Sequence, residues 1–218
     1  MNIKLAIFDF DGTIADTREA IIVAKQETMR IYGLPVADEA ACASTIGYTA
    51  KAGFQRLYPD LAGEKLEQCV ITYRQLFEEK KKAIPPKLFR GMIETLEALV
   101  KQGITCTIAT ARNQVSCHEM LEQLGVKKYF SYILCGESTQ HLKPHPEAVL
   151  LTMDELGFQP EETMVIGDMP MDIAMGKNAG AYTCGVTYGN ADRDTLLENG
   201  ADFVIDQMDQ LLGILAIG

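Results

Sequence analysis

From Gly91 onward, short apolar runs alternate with helix-like stretches, and this alternation constrains the fold more than any other feature of the chain. Ile93, Leu96 and Val100 form a helical stripe that stops at Gly103, and residues 104–109 follow as a buried strand. Residues 115–124 read as a helix closed by Gly125, and residues 132–135 as the next strand. Pro146 suits the first turn of a helix that runs to about Leu156. Residues 163–166 are again strand, with a helix to Ala179. Residues 181–186 and 202–205 add short strands, and residues 207–215 a closing helix. Strands that alternate with helices predict a parallel sheet covered on both faces.

One more strand opens the chain: Leu5, Ala6, Ile7 and Phe8 form a short apolar run that most simply joins the same sheet. Between it and the alternating part, the sequence is helix-like, broken at Gly47, Gly53, Pro59 and Gly63, and contains no convincing strand. Asp16 is placed to cap the first helix, with Glu19 reaching back to it. The adjacent pair Pro85 and Pro86 marks a stiff boundary. The expected fold is therefore α/β: a Rossmann-like, doubly wound parallel sheet of residues 1–15 and 86–218, interrupted by an all-helical insertion of residues 16–85.

Composition narrows the function classes. The net charge is −10, and the compact basic run Lys80, Lys81 and Lys82 reads as a solvated helix end. Binding to nucleic acid or to an anionic membrane surface is not expected, since both draw on clustered Lys and Arg. No apolar stretch approaches the ~20 residues of a membrane span, and the N-terminus enters a strand without a secretory leader. The six cysteines form no CxxC pair, and Cys106, Cys135 and Cys184 fall in predicted strands. A reduced, cytoplasmic protein is the expectation.

The chemistry gathers at strand ends, where doubly wound sheets bind their ligands. Asp9 and Asp11 follow the first strand two residues apart, so an extended chain aims both at one site. Two such charges repel unless a cation or a shared proton relieves them. Gly12 lets the chain turn away, and Thr13 follows. The second strand delivers Thr110, with Arg112 and Asn113 just beyond. The next loop carries Lys143, and the strand after it delivers Asp168, with Asp172 one helical turn later. Carboxylates suit Mg²⁺, which prefers oxygen ligands. Thr110 and Lys143 suit phosphoryl oxygens, as donor and as point charge.

Asp9-Phe10-Asp11-Gly12-Thr13, Thr110, Lys143-Pro144-His145-Pro146 and Gly167-Asp168-Met169-Pro170-Met171-Asp172 together resemble the four motifs of the haloacid dehalogenase superfamily. They are most similar to its phosphoglycolate phosphatase-like branch, in which a helical cap follows the first motif. The resemblance covers essentially the whole chain and includes Asp16-Thr17 and Asn178-Ala179-Gly180-Ala181. It implies a Mg²⁺-dependent phosphatase acting on a small phosphorylated metabolite. Asp9 would attack phosphorus and form an aspartyl-phosphate, and Asp11 would protonate the leaving oxygen and then activate water. Mg²⁺ would be held by Asp9, the Asp11 carbonyl and Asp168, with Asp172 orienting waters or Lys143. Thr110 and Lys143 would hold the phosphoryl oxygens.

The acid at position 11 favours phosphoryl transfer over carbon–halogen cleavage, because dehalogenases of the superfamily lack it. Arg112 is left between contacting substrate and capping the next helix. Arg18 and the loop Gly47, Tyr48, Thr49, Ala50 and Lys51 are the candidates for meeting the leaving group. A pyrophosphatase, a β-phosphoglucomutase-like phosphotransferase and a phosphonatase using Lys51 remain alternatives within the superfamily. A phospho-acceptor signalling module is an alternative outside it, and the long helical insertion would have no purpose there.

Overall fold

A computed structural model describes residues 2–216 of the 218-residue chain. Its centre is strand β1 (Leu5–Phe8), whose four residues are all buried. Parallel neighbours flank it on both sides: β4 (Thr105–Ala109), with Leu5 opposite Thr105, and β6 (Thr163–Gly167), with Leu5 opposite Thr163. With β5 (Phe130–Leu134), β7 (Tyr182–Val186) and β8 (Phe203–Ile205), the sheet is six-stranded in the order β5-β4-β1-β6-β7-β8. All its pairings are parallel. The predicted alternation is thus present, with strand bounds shifted by one or two residues.

The period of two sorts β1 between two cores. Ala6 and Phe8 join the larger core, together with Ile108, Met164 and Ile166, while Leu5 and Ile7 join Val149, Met153, Val165 and Met175 on the opposite face. Helices α5 (Met92–Lys101), α6 (Gln114–Gln123) and α10 (Gln210–Ile214) contribute to the first core, and α7 (Glu147–Leu156) and α8 (Pro170–Asn178) to the second. A short helix, α9 (Arg193–Glu198), packs on β7 and β8. The six thiols are all buried and free, as expected of small apolar fillers.

Between β1 and β4 lie α1 (Arg18–Ile31), α2 (Glu39–Ala43), α3 (Ala50–Leu57) and α4 (Gly63–Ala83). α1 packs along α4, and Phe54 of α3 meets the Tyr73 ring of α4 edge-on. One expectation fails at the entry to this segment and another at its end. Asp16 does not take the cap position of α1, although its Oδ1 accepts from the Arg18 amide at 3.3 Å: it lies in a two-residue strand, β2 (Ala15–Asp16), that pairs antiparallel with β3 (Lys87–Leu88). The cap position falls to Thr17, whose side chain is drawn instead to Asp11. A two-residue ribbon has no periodicity to read, and it forms only because the two connections run side by side. Lys80 and Lys81 are not simply solvated either: they pair with Glu27 and with Glu78 and Glu119.

Candidate active site

All six strands run the same way, so their carboxyl ends share one edge. Beyond the end of β1 the ladder continues for one residue, the Asp9 amide donating to the Ile166 carbonyl at 2.9 Å. That bond fixes the Asp9 side chain at the sheet edge. Asp168 follows β6 directly, and Asp172 sits in the first turn of α8, where its Oδ2 accepts from the Met169 amide at 3.0 Å. Oxygen atoms of Asp9, Asp168 and Asp172 all lie within 4.8 Å of one another, and all three residues are buried.

Lys143 enters this cluster from the loop before α7, a loop tied to α8 by Asn178 Nδ2 donating to the Pro144 carbonyl at 3.0 Å. Its Nζ donates to Asp9 Oδ1 at 2.6 Å and to Asp172 Oδ1 at 2.7 Å. Asp168 is held separately: Oδ1 accepts from Thr13 at 3.3 Å, and Oδ2 from the amide and side chain of Asn190 at 2.8 and 2.7 Å. Gly12 permits this approach. It adopts φ +86°, and a Cβ there would fall 2.2 Å from Asp168 Oδ2.

One lysine does not neutralise three buried carboxylates. Burial pushes Asp9 well above the usual carboxylate range, and Asp172 and Asp168 push it further against the opposing pull of Lys143. Burial and the Asp172 charge raise Asp168 to about 7, against the hydrogen bonds from Asn190. Lys143 is raised above an ordinary lysine, because Asp172 and Asp9 outweigh the burial that would lower it. Asp9 Oδ2 is buried with no hydrogen-bond partner. A convergent set of hard oxygen donors that is short of positive charge fits a divalent cation such as Mg²⁺.

Asp11 turns to a second group. Arg112 grips its carboxylate with two nitrogens, Nε at 3.1 Å and Nη2 closer, and Thr17 Oγ1 donates to it at 2.6 Å. Arg112 also donates to Ser116 at 3.0 Å and stacks 4.6 Å from the Phe77 ring centre. The capping alternative for Arg112 is therefore overturned: Asn113 caps α6 by accepting from the Ser116 amide. Thr110 stands buried beyond β4, its Oγ1 accepting from the Arg112 amide at 3.2 Å. Arg18 donates to Asn190 at 2.7 Å.

Beside Asp11 opens a cavity of about 270 Å³ walled by Tyr73, Phe77, Arg112, Ile46 and the loop residues Gly47 and Tyr48. Lys51 does not reach it. That lysine lies on the surface of α3, paired with Glu67 at 2.6 Å, which removes the support for the phosphonatase alternative. The cavity wall instead contains Lys25, which sequence reasoning passed over. Its signal was present: Lys25 shares a helix face with the apolar Ile21, Ile22 and Met29. Asn190, in a loop without periodicity, carried no such signal.

A family model described as haloacid dehalogenase-like hydrolase matches residues 6–186. The chain belongs to this family. The hydrolase is 34% identical to the probable phosphatase IndB of Dickeya dadantii, over 96% of this chain and 92% of that one. It is 31% identical to the pyrophosphatase PpaX of Halalkalibacterium halodurans, over 100% of this chain and 99% of the relative. Among solved structures it is similar to a predicted phosphoglycolate phosphatase from Haemophilus somnus, with TM-score 0.90, 25% identity and 98% of both chains covered. Among the described residues of the hydrolase, no helix is long and apolar enough to cross a membrane.

Proposed function

We propose that the chain is a Mg²⁺-dependent phosphatase of small phosphate monoesters, phosphoglycolate-like, working through an aspartyl-phosphate on Asp9. The observation that carries this reading is the orphaned Asp9 Oδ2, a buried carboxyl oxygen at the centre of the cluster with no donor among the described residues. Lys143 fixes Oδ1, which leaves Oδ2 as the atom to attack phosphorus. Asp9 and Asp168, with the Asp11 carbonyl, would hold Mg²⁺, which supplies charge neutralisation for the phosphoryl group when bound. Lys143 and Thr110 would bind phosphoryl oxygens, and Asp172 orients Lys143 through their 2.7 Å contact.

Asp11 faces the cavity rather than the carboxylate cluster, where a leaving oxygen would emerge. Its role is to carry the proton, first to that oxygen and then away from the hydrolytic water. Arg112 and Thr17 hold the Asp11 carboxyl group in place at the cavity wall. Residues 16–85 serve as a cap over the site, which closes the cavity to water. Pyrophosphate is the second reading, favoured by the 31% identity to a protein named as a pyrophosphatase.

Purified protein with Mg²⁺ should release phosphate from p-nitrophenyl phosphate. Asp9→Asn should lower kcat by about a thousandfold or more while leaving the far-ultraviolet circular dichroism unchanged. Undiminished turnover in Asp9→Asn overturns the nucleophile.

A further inference from the structure

Lys25 is 3% exposed, yet no carboxylate lies within salt-bridge distance of it among the described residues. Its Nζ donates only to Thr45, to the carbonyl at 3.3 Å and more closely to Oγ1. A buried ammonium is stable when it meets an anion, and costly when it does not. The other charges of the cavity, the exposed Arg74 apart, are already matched. Arg112 is taken by Asp11, and Glu78 and Glu119 share Lys81. Arg74 also lines the wall, but on an exposed stretch of α4. Lys25 is thus the buried cation of the cavity left without an anion, and Thr45 holds it at the wall.

Ile21, Ile46 and Phe77 supply an apolar part of the wall, and Lys25 is its buried cation without an anionic partner. We infer that Lys25 is the specificity-determining residue of the cavity and binds a second anionic group, carboxylate or phosphate, carried by the leaving group of the substrate. This rests on the phosphatase reading above and extends it from the phosphoryl group to the rest of the molecule. The phosphoryl group sits against Asp9, the bond to be broken lies beside Asp11, and the far anion of the leaving group meets Lys25. The cavity volume of about 270 Å³ admits only a short connection between the two anions. Burial lowers Lys25 to about 8, against the pull of the Cys42 and Asp11 side chains, so the amine is short of negative charge even with both nearby.

The test is a comparison of kcat/KM for phosphoglycolate, pyrophosphate and p-nitrophenyl phosphate in the wild type, Lys25→Met and Lys25→Arg. The ratio of at least one dianion-type substrate to p-nitrophenyl phosphate should fall about thirtyfold or more in Lys25→Met. It should recover in part in Lys25→Arg, which keeps the charge. A fall for phosphoglycolate alone assigns a carboxylate, and a fall for pyrophosphate alone assigns a phosphate. Ratios unchanged for both overturn the inference, as does an equal loss on all three substrates. If the wild type releases phosphate from none of them, the phosphatase reading fails by itself. Calorimetric titration of the metal-free protein with glycolate and with inorganic phosphate then decides the role of Lys25. Binding that Lys25→Met abolishes supports it, and binding that is absent or unaffected by the substitution overturns it.

Discussion

Asp11 and Arg112 are the charge pair that faces the cavity, with side chains 11% and 7% exposed. A pair this buried is expensive to break from one side, because the remaining charge is left without a partner. Arg112→Met should therefore destabilise the protein by about 3–5 kcal/mol, read from urea unfolding. Adding Asp11→Asn to it should restore part of that loss, since the orphaned charge is then removed. Lys25 behaves in the opposite way. Its folded-state pKa is depressed to about 8, so the folding penalty of the buried ammonium is full below pH 8 and vanishes as pH rises past the unfolded value. Lys25→Met should accordingly stabilise the protein at pH 7 by on the order of 1–3 kcal/mol. The gain should shrink between pH 8 and 10.5, which pH-dependent unfolding would show. A residue that costs stability and touches a cavity is where function is expected to have outweighed folding.

At the level of elements, α8 sets the position of Asp172 by lying very close to the sheet. Gly176 makes this possible: a Cβ there would fall 2.6 Å from Thr183 Cγ2 and 3.0 Å from Val165 Cβ. Gly176→Ala should lift the helix and cost about 1–3 kcal/mol, measured by thermal or urea unfolding, and should lower kcat because Asp172 no longer orients Lys143. The central strands were legible in the sequence because they are buried apolar runs bounded by Gly or polar residues, as in Leu5–Phe8 and Thr163–Gly167. The β2–β3 ribbon was not. Its two residues per strand are paired by the meeting of distant connections, Asp16 opposite Lys87, and no local pattern encodes such a meeting. The Lys51 surface position was equally hidden, because the turn before α3 alone does not say which way the helix faces.

Across the whole molecule, the fold concentrates negative charge where the sheet ends, and a cation should relieve it. With Asp168 raised to about 7 by burial and Asp172, protons compete with metal below that pH. Mg²⁺ at about 100 times its Kd should raise Tm by roughly 5–10 °C at pH 8. The rise should be smaller at pH 6, where the carboxylates must first lose their protons. The sign for the metal-free protein follows from the same raised acid: its stabilising effect is full below the unfolded carboxylate value, and stability is lost as pH rises through about 7. Calorimetric scans with and without Mg²⁺ at the two pH values would check both statements, and an equal shift at pH 6 and 8 would refute the first.

The parallel sheet, the order of its strand-end residues and the convergence of Asp9, Lys143, Asp168 and Asp172 were readable from the residues alone, because these depend on local periodicity and on the rule that ligands sit at carboxyl ends. It took the folded chain to turn Asp11 toward Arg112 and Thr17, to bring Asn190 to Asp168, and to bury Lys25 beside a cavity without an anion. Those outcomes turn on which groups from distant elements arrive within a few ångströms of one another. Side-chain partnership and the cost of unpaired charge exist only once the helical segment has closed against the sheet.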